Sequence, residues 1–258
     1  MERQKEPLKQ YRYFLKDSIR KLIDFPATDQ HRGVAAPPLE KPHDPDALLV
    51  DLAKPGSWQS IPGIDLLSAI RRRRSRRNYT REPLQQEEIS LLLWATQGVR
   101  GKPVSGHAFR TVPSAGCRHA FETYLVVLNV EGLEQGLYRY LPLSHRLVLE
   151  YPAADLAGKI VEATFGQSFT GRAAAVFTWT AIPYRMEWRY GLAAHKVIAI
   201  DAGHVCQNLY LACEAIGAGT CAIAAYDQEE MDGLLRLDGE EEFVIYLAPV
   251  GKIKEGIS

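Results

Sequence analysis

The stretch from Leu192 to Ile216 reads as one long helix carrying apolar residues on nearly every face. A surface helix needs only one apolar stripe. A helix apolar nearly all round therefore belongs at the centre of the molecule, covered by other layers. No other feature restricts the fold as strongly, because every remaining element has to be arranged around it.

Those elements follow no regular alternation. Helices are predicted over Leu66–Arg74, Leu84–Val99, Leu156–Phe165 and Gln228–Leu235; Glu87 and Glu88 mark the start of the second and Gly98 its end. Strands are predicted over Thr123–Val130, Gly136–Tyr140, Arg146–Glu150 and Ala173–Ile182, then near Cys221–Ala225 and over Glu242–Ala248. Helices stand before and between strands, with a hairpin-like cluster in the middle. The regular strand–helix repeat of a doubly wound sheet is missing, so the fold class is α+β, a mixed sheet flanked by helices.

Residues 1–63 differ from the rest. They hold more than half of the 15 prolines, in pieces such as Ala36-Pro37-Pro38 and Lys41-Pro42-His43-Asp44-Pro45. Proline removes a backbone donor and extends its predecessor, so this segment is expected to be an arm, with one short helix over Tyr11–Asp24. Its aromatics (Tyr11, Tyr13, Phe14, Phe25, Trp58) are too many for a free tail, and the arm is expected to wrap on a body formed by residues 64–258.

Charge narrows the function. Lys+Arg and Asp+Glu both number 31, which argues against a wholesale nucleic-acid binder. The N-terminus is charged from its second residue, unlike a secretory leader, and no run reaches the ~18 apolar residues of a membrane helix. The expectation is a cytoplasmic protein without a membrane partner. Four cysteines (Cys117, Cys206, Cys213, Cys221) make no metal-type pair, and no metal site is expected. Cys206 and Cys213 lie on one face of the long helix as core residues, and His204 is expected to be a buried structural histidine. Gly166-Gln-Ser168-Phe-Thr170 lacks the second glycine of a nucleophile elbow.

The neutral total hides one extreme stretch. Six of the seven residues Arg71–Arg77 are arginine, which leaves the other 251 at a net charge of −6. Such a run can be a solvated helix end, a nucleic-acid patch, or an anion site in which guanidinium forks hold a phosphate. Ser75 in its middle favours the anion site, since its hydroxyl can serve the same phosphate. Two small-residue turns carry related chemistry, Pro113-Ser114-Ala115-Gly116-Cys117 and Gly217-Ala218-Gly219-Thr220-Cys221-Ala222. Both let backbone approach a flat ligand closely. The second matches G-x-G-x-x-A, but it lies between a helix and a strand in the wrong order for a dinucleotide fold.

Taken in order, these motifs resemble one family. Arg73-Arg74-Ser75-Arg76-Arg77 resembles the RRSxR element of the nitroreductase-like FMN flavoproteins. Pro113-Ser-Ala-Gly116 with Arg118, His119 and Glu122, and Gly203-His204 with Gln207-Asn208-Leu209, resemble elements of its SagB-type dehydrogenase branch; Pro249-Val-Gly251-Lys252 also fits. The resemblance implies a largely antiparallel sheet with helices and a homodimer holding FMN at the interface. It also implies hydride transfer through flavin N5, to or from a small-molecule or modified-peptide substrate. An NAD(P)H-dependent nitro or quinone reductase is the alternative.

By position, Arg73 and Ser75 with Lys252 would hold the phosphate. Arg74 would reach the phosphate or ribityl chain, and Arg77 the N1/O2 edge. Pro113, Ser114, Ala115 and Gly116 would pack on the ring, and Gly217, Gly219 and Thr220 would lie in the turn at its N5/O4 edge. Where azoline dehydrogenases of the branch carry Lys-Tyr, this sequence has Arg189-Tyr190. Arginine stays charged, so Arg189 is a poor base and Tyr190 the better candidate; both can equally be packing or anion contacts.

Overall fold

The computed structural model describes residues 5–104 and 106–254. In chain order the elements are α1 (Lys5–Phe14), β1 (Leu49–Asp51), α2 (Leu66–Arg72), α3 (Gln86–Gln97), β2 (Phe121–Val127), β3 (Gly136–Leu141) and β4 (Arg146–Pro152). There follow α4 (Leu156–Ala163), β5 (Ala175–Ala181), α5 (Tyr184–Tyr190), α6 (Ala194–Ala215), β6 (Ala218–Thr220), α7 (Gln228–Leu235) and β7 (Phe243–Lys252). The seven strands form one sheet in the order β1-β4-β3-β2-β5-β7-β6, every neighbouring pair antiparallel. The fold is α+β, as the pattern of elements predicts.

Both faces of this sheet are covered, which explains why β2 and β5 read as nearly unbroken apolar runs. Leu125, Val127, Phe177 and Trp179 pack with Leu92 and Leu93 of α3 and Val205 and Leu209 of α6. The alternate residues Tyr124, Val126 and Val176 pack on the other side with Ile160 of α4 and Met231 of α7. Trp179, fully buried at the centre, alone contributes on the order of 3 kcal/mol by removal of apolar surface from water.

The long helix departs from expectation. It packs on α2, α3, α5, β6 and β7, and Cys206 and Cys213 are core as predicted. One stripe is bare, however: Ile200 is 49% exposed and the His204 side chain 46%. Gly203 and Gln207 share that stripe at helical spacing, and no element among the described residues covers it. His204 is thus a surface residue and not a buried structural one.

Other boundaries shift for tertiary reasons. The helix expected over residues 11–24 is α1 followed by a separate 3-10 turn at Asp17–Leu22. α2 is N-capped by Asp65, which accepts from the Ser68 N–H at 2.9 Å, and it stops at Arg72 rather than Arg74. The strand expected near Cys221–Ala225 is the shorter β6, three residues earlier in its start.

A buried charge network ties the proline-rich segment to one end of the sheet. Glu122, 2% exposed, accepts from the Lys41 backbone N–H at 2.8 Å and pairs with Arg185 and Arg139. Arg139 Nη1 and Nη2 donate to the carbonyls of Lys41 and Pro42 at 2.8 and 2.9 Å, and Arg110 Nη2 to that of Leu39 at 2.9 Å. Trp188 Nε1 donates to the Val34 carbonyl at 3.0 Å. Because Arg185 and Trp188 belong to α5, this network also fixes the helix that carries Arg189 and Tyr190.

Candidate functional site

The arginine run leaves its helix at Arg73, where the backbone turns extended (φ −49°, ψ 121°). It then runs beside β6: Ser75 bridges Thr220 in parallel, and the Arg76 N–H donates to the Thr220 carbonyl at 2.8 Å. Extended backbone alternates its side chains, so the run divides into two sets. Arg73 lies over the Tyr210 ring at 5.2 Å, and Ser75 Oγ is 3.0 Å from the Tyr210 hydroxyl. Arg77 lies over Phe169 at 5.7 Å. Arg71, Arg72, Arg74 and Arg76 instead line a cavity of about 900 Å³, together with Glu88, Glu214, Gly217 and Lys252.

Charge in this region is poorly compensated. Among the described residues none of Arg71, Arg72, Arg73, Arg74 and Arg77 enters an ion pair. Glu214 is the carboxylate on which the run acts; burial holds its pKa above the ordinary value in spite of four nearby arginines. Lys252 is committed to Glu88 in a largely buried pair and donates to the Ile216 carbonyl at 2.8 Å. Glu88 also accepts from the Gln85 N–H at 2.9 Å as part of the capping box of α3, so one carboxylate serves both cap and lysine.

The turn after α6 completes this end. Gly217 has φ +63° with open space where a side chain would begin, and it faces the cavity. Gly219 is required by close packing, since a Cβ there would lie 2.7 Å from Arg76 Cβ and 2.8 Å from Ile253. The Ala222 N–H donates to the Tyr210 hydroxyl at 2.9 Å. Thr220 is 1% exposed, and its hydroxyl has no hydrogen-bond partner. A buried orphan hydroxyl beside unpaired guanidiniums, with an open glycine turn, fits a phosphate-bearing ligand such as FMN.

The second group of predicted residues lies elsewhere on α6. Pro113, Ser114, Ala115 and Gly116 form a tight turn with Gly116 at φ +56°. The Ala115 N–H donates to Asp201 Oδ2 at 3.3 Å, and the His119 N–H to Ser114 Oγ at 2.9 Å. A Cβ on Gly116 would meet the Tyr190 hydroxyl at 2.5 Å and Arg189 at 2.9 Å, so glycine is what lets this turn touch α5. Cys117 Sγ lies 3.6 Å from His119 Nε2, and burial pushes the His119 pKa down to about 3. The ring is therefore neutral at ordinary pH. Burial also raises the Asp201 pKa, against hydrogen bonds from Ser114 and Ala115.

The predicted residues thus fall into two separate clusters. The arginine segment meets α6 at Tyr210, and the Pro113–Cys117 turn meets it at Asp201, nine residues or about 13.5 Å away along the axis. Asp201, Tyr210 and Glu88, the partner of the predicted Lys252, are absent from the sequence-derived site. An acid inside an apolar helix was the available signal for Asp201; nothing local marked Tyr210. Among the described residues no group of His, Cys, Asp and Glu could hold a metal ion, and no helix is long and apolar enough to cross a membrane.

Residues 70–252 match the model of the nitroreductase family. The chain belongs to the nitroreductase family. The family is one of oxidoreductases whose members generally bind flavin. A protein of Methanocaldococcus jannaschii named as a nitroreductase is 32% identical over 192 residues, 74% of this chain and 93% of the relative. The trifolitoxin-processing protein TfxB of Rhizobium leguminosarum bv. trifolii is 29% identical over 136 residues, 51% of this chain but only 36% of that protein. Among solved structures, a Ralstonia eutropha protein described as a nitroreductase superposes with a TM-score of 0.66 at 25% identity, covering 84% of this chain and 95% of that one.

Proposed function

We propose that this nitroreductase-family chain is an FMN-dependent oxidoreductase of the SagB-type dehydrogenase branch, acting on a small-molecule or modified-peptide substrate. The observation that carries the reading is the set of arginines Arg71–Arg74 and Arg77, none of them in an ion pair among the described residues, near the buried hydroxyl of Thr220. Arg73 and Ser75 with Lys252 would hold the FMN phosphate and Arg74 would reach the phosphate or ribityl chain; Arg74 and Lys252 share the cavity, while Arg73 and Ser75 are turned to Tyr210. Arg77 lies toward the N1/O2 edge, where a fixed cation favours the reduced, anionic ring. The Gly217, Gly219 and Thr220 turn supplies backbone donors to the N5/O4 edge, and Pro113–Gly116 packs on the ring. Bound there, FMN would supply two-electron redox chemistry.

The two separate clusters support a homodimer with the cofactor at the interface, because a second copy can bring its Pro113–Gly116 turn to the first copy's arginines. The bare stripe of α6 and the exposed Leu66, Leu67 and Ile70 of α2 supply the apolar surface for that contact. On this reading residues 1–63 are an arm packed on an FMN-binding domain of residues 64–258.

Tyr190 is the group placed to hold or move a proton, its hydroxyl pressed against Gly116. Arg189 stays charged and positions rather than abstracts. A second reading, reduction of nitro or quinone compounds by NAD(P)H, is favoured by the name of the M. jannaschii relative. The test is spectroscopic: purified protein should show flavin absorbance and release FMN on heating. Anaerobic NAD(P)H that bleaches it, with a quinone restoring the colour, supports the reductase. A protein that neither contains nor takes up FMN refutes both readings.

A further inference from the structure

The Pro113–Cys117 end holds two cations, Arg118 and Arg189, that no carboxylate pairs with among the described residues. Arg118 is 3% exposed. Its guanidinium is held rigid, 5.0 Å over the Trp188 ring, with Nη2 donating to the Gly106 carbonyl at 3.2 Å and meeting His107 Nδ1 at 3.2 Å. Its Nε and Nη1 are buried without a hydrogen-bond partner. Arg189 lies beside it, against Gly116 and 5.4 Å over Tyr190, and among the described residues neither arginine is in an ion pair. Burial, with the repulsion of Arg189, lowers the Arg118 pKa, and no carboxylate offsets this.

The acids of this region are spent on other groups. Glu122 is committed to Arg185 and Arg139, and Asp201 to the Ala115 N–H, with His204 at 3.9 Å. A buried guanidinium with idle donors next to a second guanidinium is unfavourable unless an anion completes it. Its idle Nη1 can donate to one carboxylate oxygen beside the Arg189 guanidinium, and its immobilisation by Trp188 and the Gly106 carbonyl lowers the ordering cost in advance. We infer that Arg118 and Arg189 recognise a carboxylate on the substrate and hold it beside Tyr190. The inference rests on the proposed oxidoreductase only in calling that anion a substrate; it is a second anion site, separate from the phosphate site at Arg73 and Ser75.

Calorimetric titration of the purified protein with 4-nitrobenzoate and with the neutral, similarly shaped 4-nitrobenzamide tests it at low salt. The carboxylate should bind about tenfold tighter, the contribution of a charge-assisted hydrogen-bond pair. Arg118→Gln and Arg189→Gln should each bring the ratio close to one, with FMN content, read as released flavin on the same samples, unchanged. Should Arg118→Gln fail to fold, the half-buried Arg189→Gln carries the test alone. Equal affinities in the unaltered protein, a preference that survives Arg189→Gln, or loss of FMN instead of the preference would overturn the assignment. Because binding is read as heat, a flavin-free protein that still prefers the carboxylate would sink the proposed cofactor and keep this site.

Discussion

Replacing Glu88 by Gln should weaken the fold and strengthen anion binding, two effects of opposite sign from one carboxylate. Glu88 pairs with Lys252 where their side chains are only 10% and 14% exposed, and it closes the capping box of α3. Removing one partner of a fully buried pair costs about 3–5 kcal/mol, because the other charge is left unpaired. Here glutamine keeps an acceptor for the Gln85 N–H, and Lys252 keeps the Ile216 carbonyl, so the cost falls to about 2–3 kcal/mol. In a domain of this size that corresponds to a fall in Tm of roughly 5–10 °C. The same substitution adds one positive charge to the cavity lined by Arg71, Arg72, Arg74 and Arg76 and frees Lys252 for a ligand phosphate. Thermal melts with and without saturating FMN should show a variant well below the unaltered protein when free, and a narrower gap when loaded. A gap that is absent in the free protein, or that widens on loading, would refute the coupling.

Three further outcomes follow from the geometry. Thr220→Val removes a buried hydroxyl that has no partner, so it should leave stability unchanged or raise it by up to about 1 kcal/mol, while FMN affinity measured by fluorescence titration falls. Gly116→Ala places a Cβ 2.5 Å from the Tyr190 hydroxyl at positive φ, and should cost about 1–3 kcal/mol in a denaturant melt and reduce turnover; a neutral effect would show that the turn does not hold α5. The His119 pKa falls to about 3 on burial, so the unfolded chain binds more protons than the folded one below the ordinary histidine range. Stability from this group is full above about pH 6.5 and is lost as pH falls toward 3, by roughly 4 kcal/mol over that window, and His119→Gln should flatten that limb of a pH–stability curve.

Much of the architecture was legible because its signals are local. α7 begins and ends where the pattern places it, and β2 to β5 lie within three residues of their predicted bounds. What was not legible depends on contacts distant in sequence. β1 is three residues inside a proline-rich segment, and it exists because Leu49, Val50 and Asp51 pair with Val148, Leu147 and Arg146. The arginine run looks helical to Arg74, but hydrogen bonding to Thr220 draws it out of the helix at Arg73. Periodicity showed that α6 is apolar on nearly every face and could not show that its Ile200–His204 stripe is left exposed by the other described residues. The motifs marked both clusters of candidate residues, whereas Asp201 and Tyr210, which anchor those clusters to α6, could be found only in three dimensions.

The central claim is that the arginine segment holds the phosphate of a flavin. Equilibrium titration of FMN against riboflavin, which lacks the phosphate, in the unaltered protein and in Arg73→Ala tests it most directly. FMN should bind far more tightly than riboflavin, and Arg73→Ala should cost FMN about tenfold or more while riboflavin hardly changes. Equal binding of the two flavins, or an Arg73→Ala protein that keeps its full preference for FMN, would contradict it.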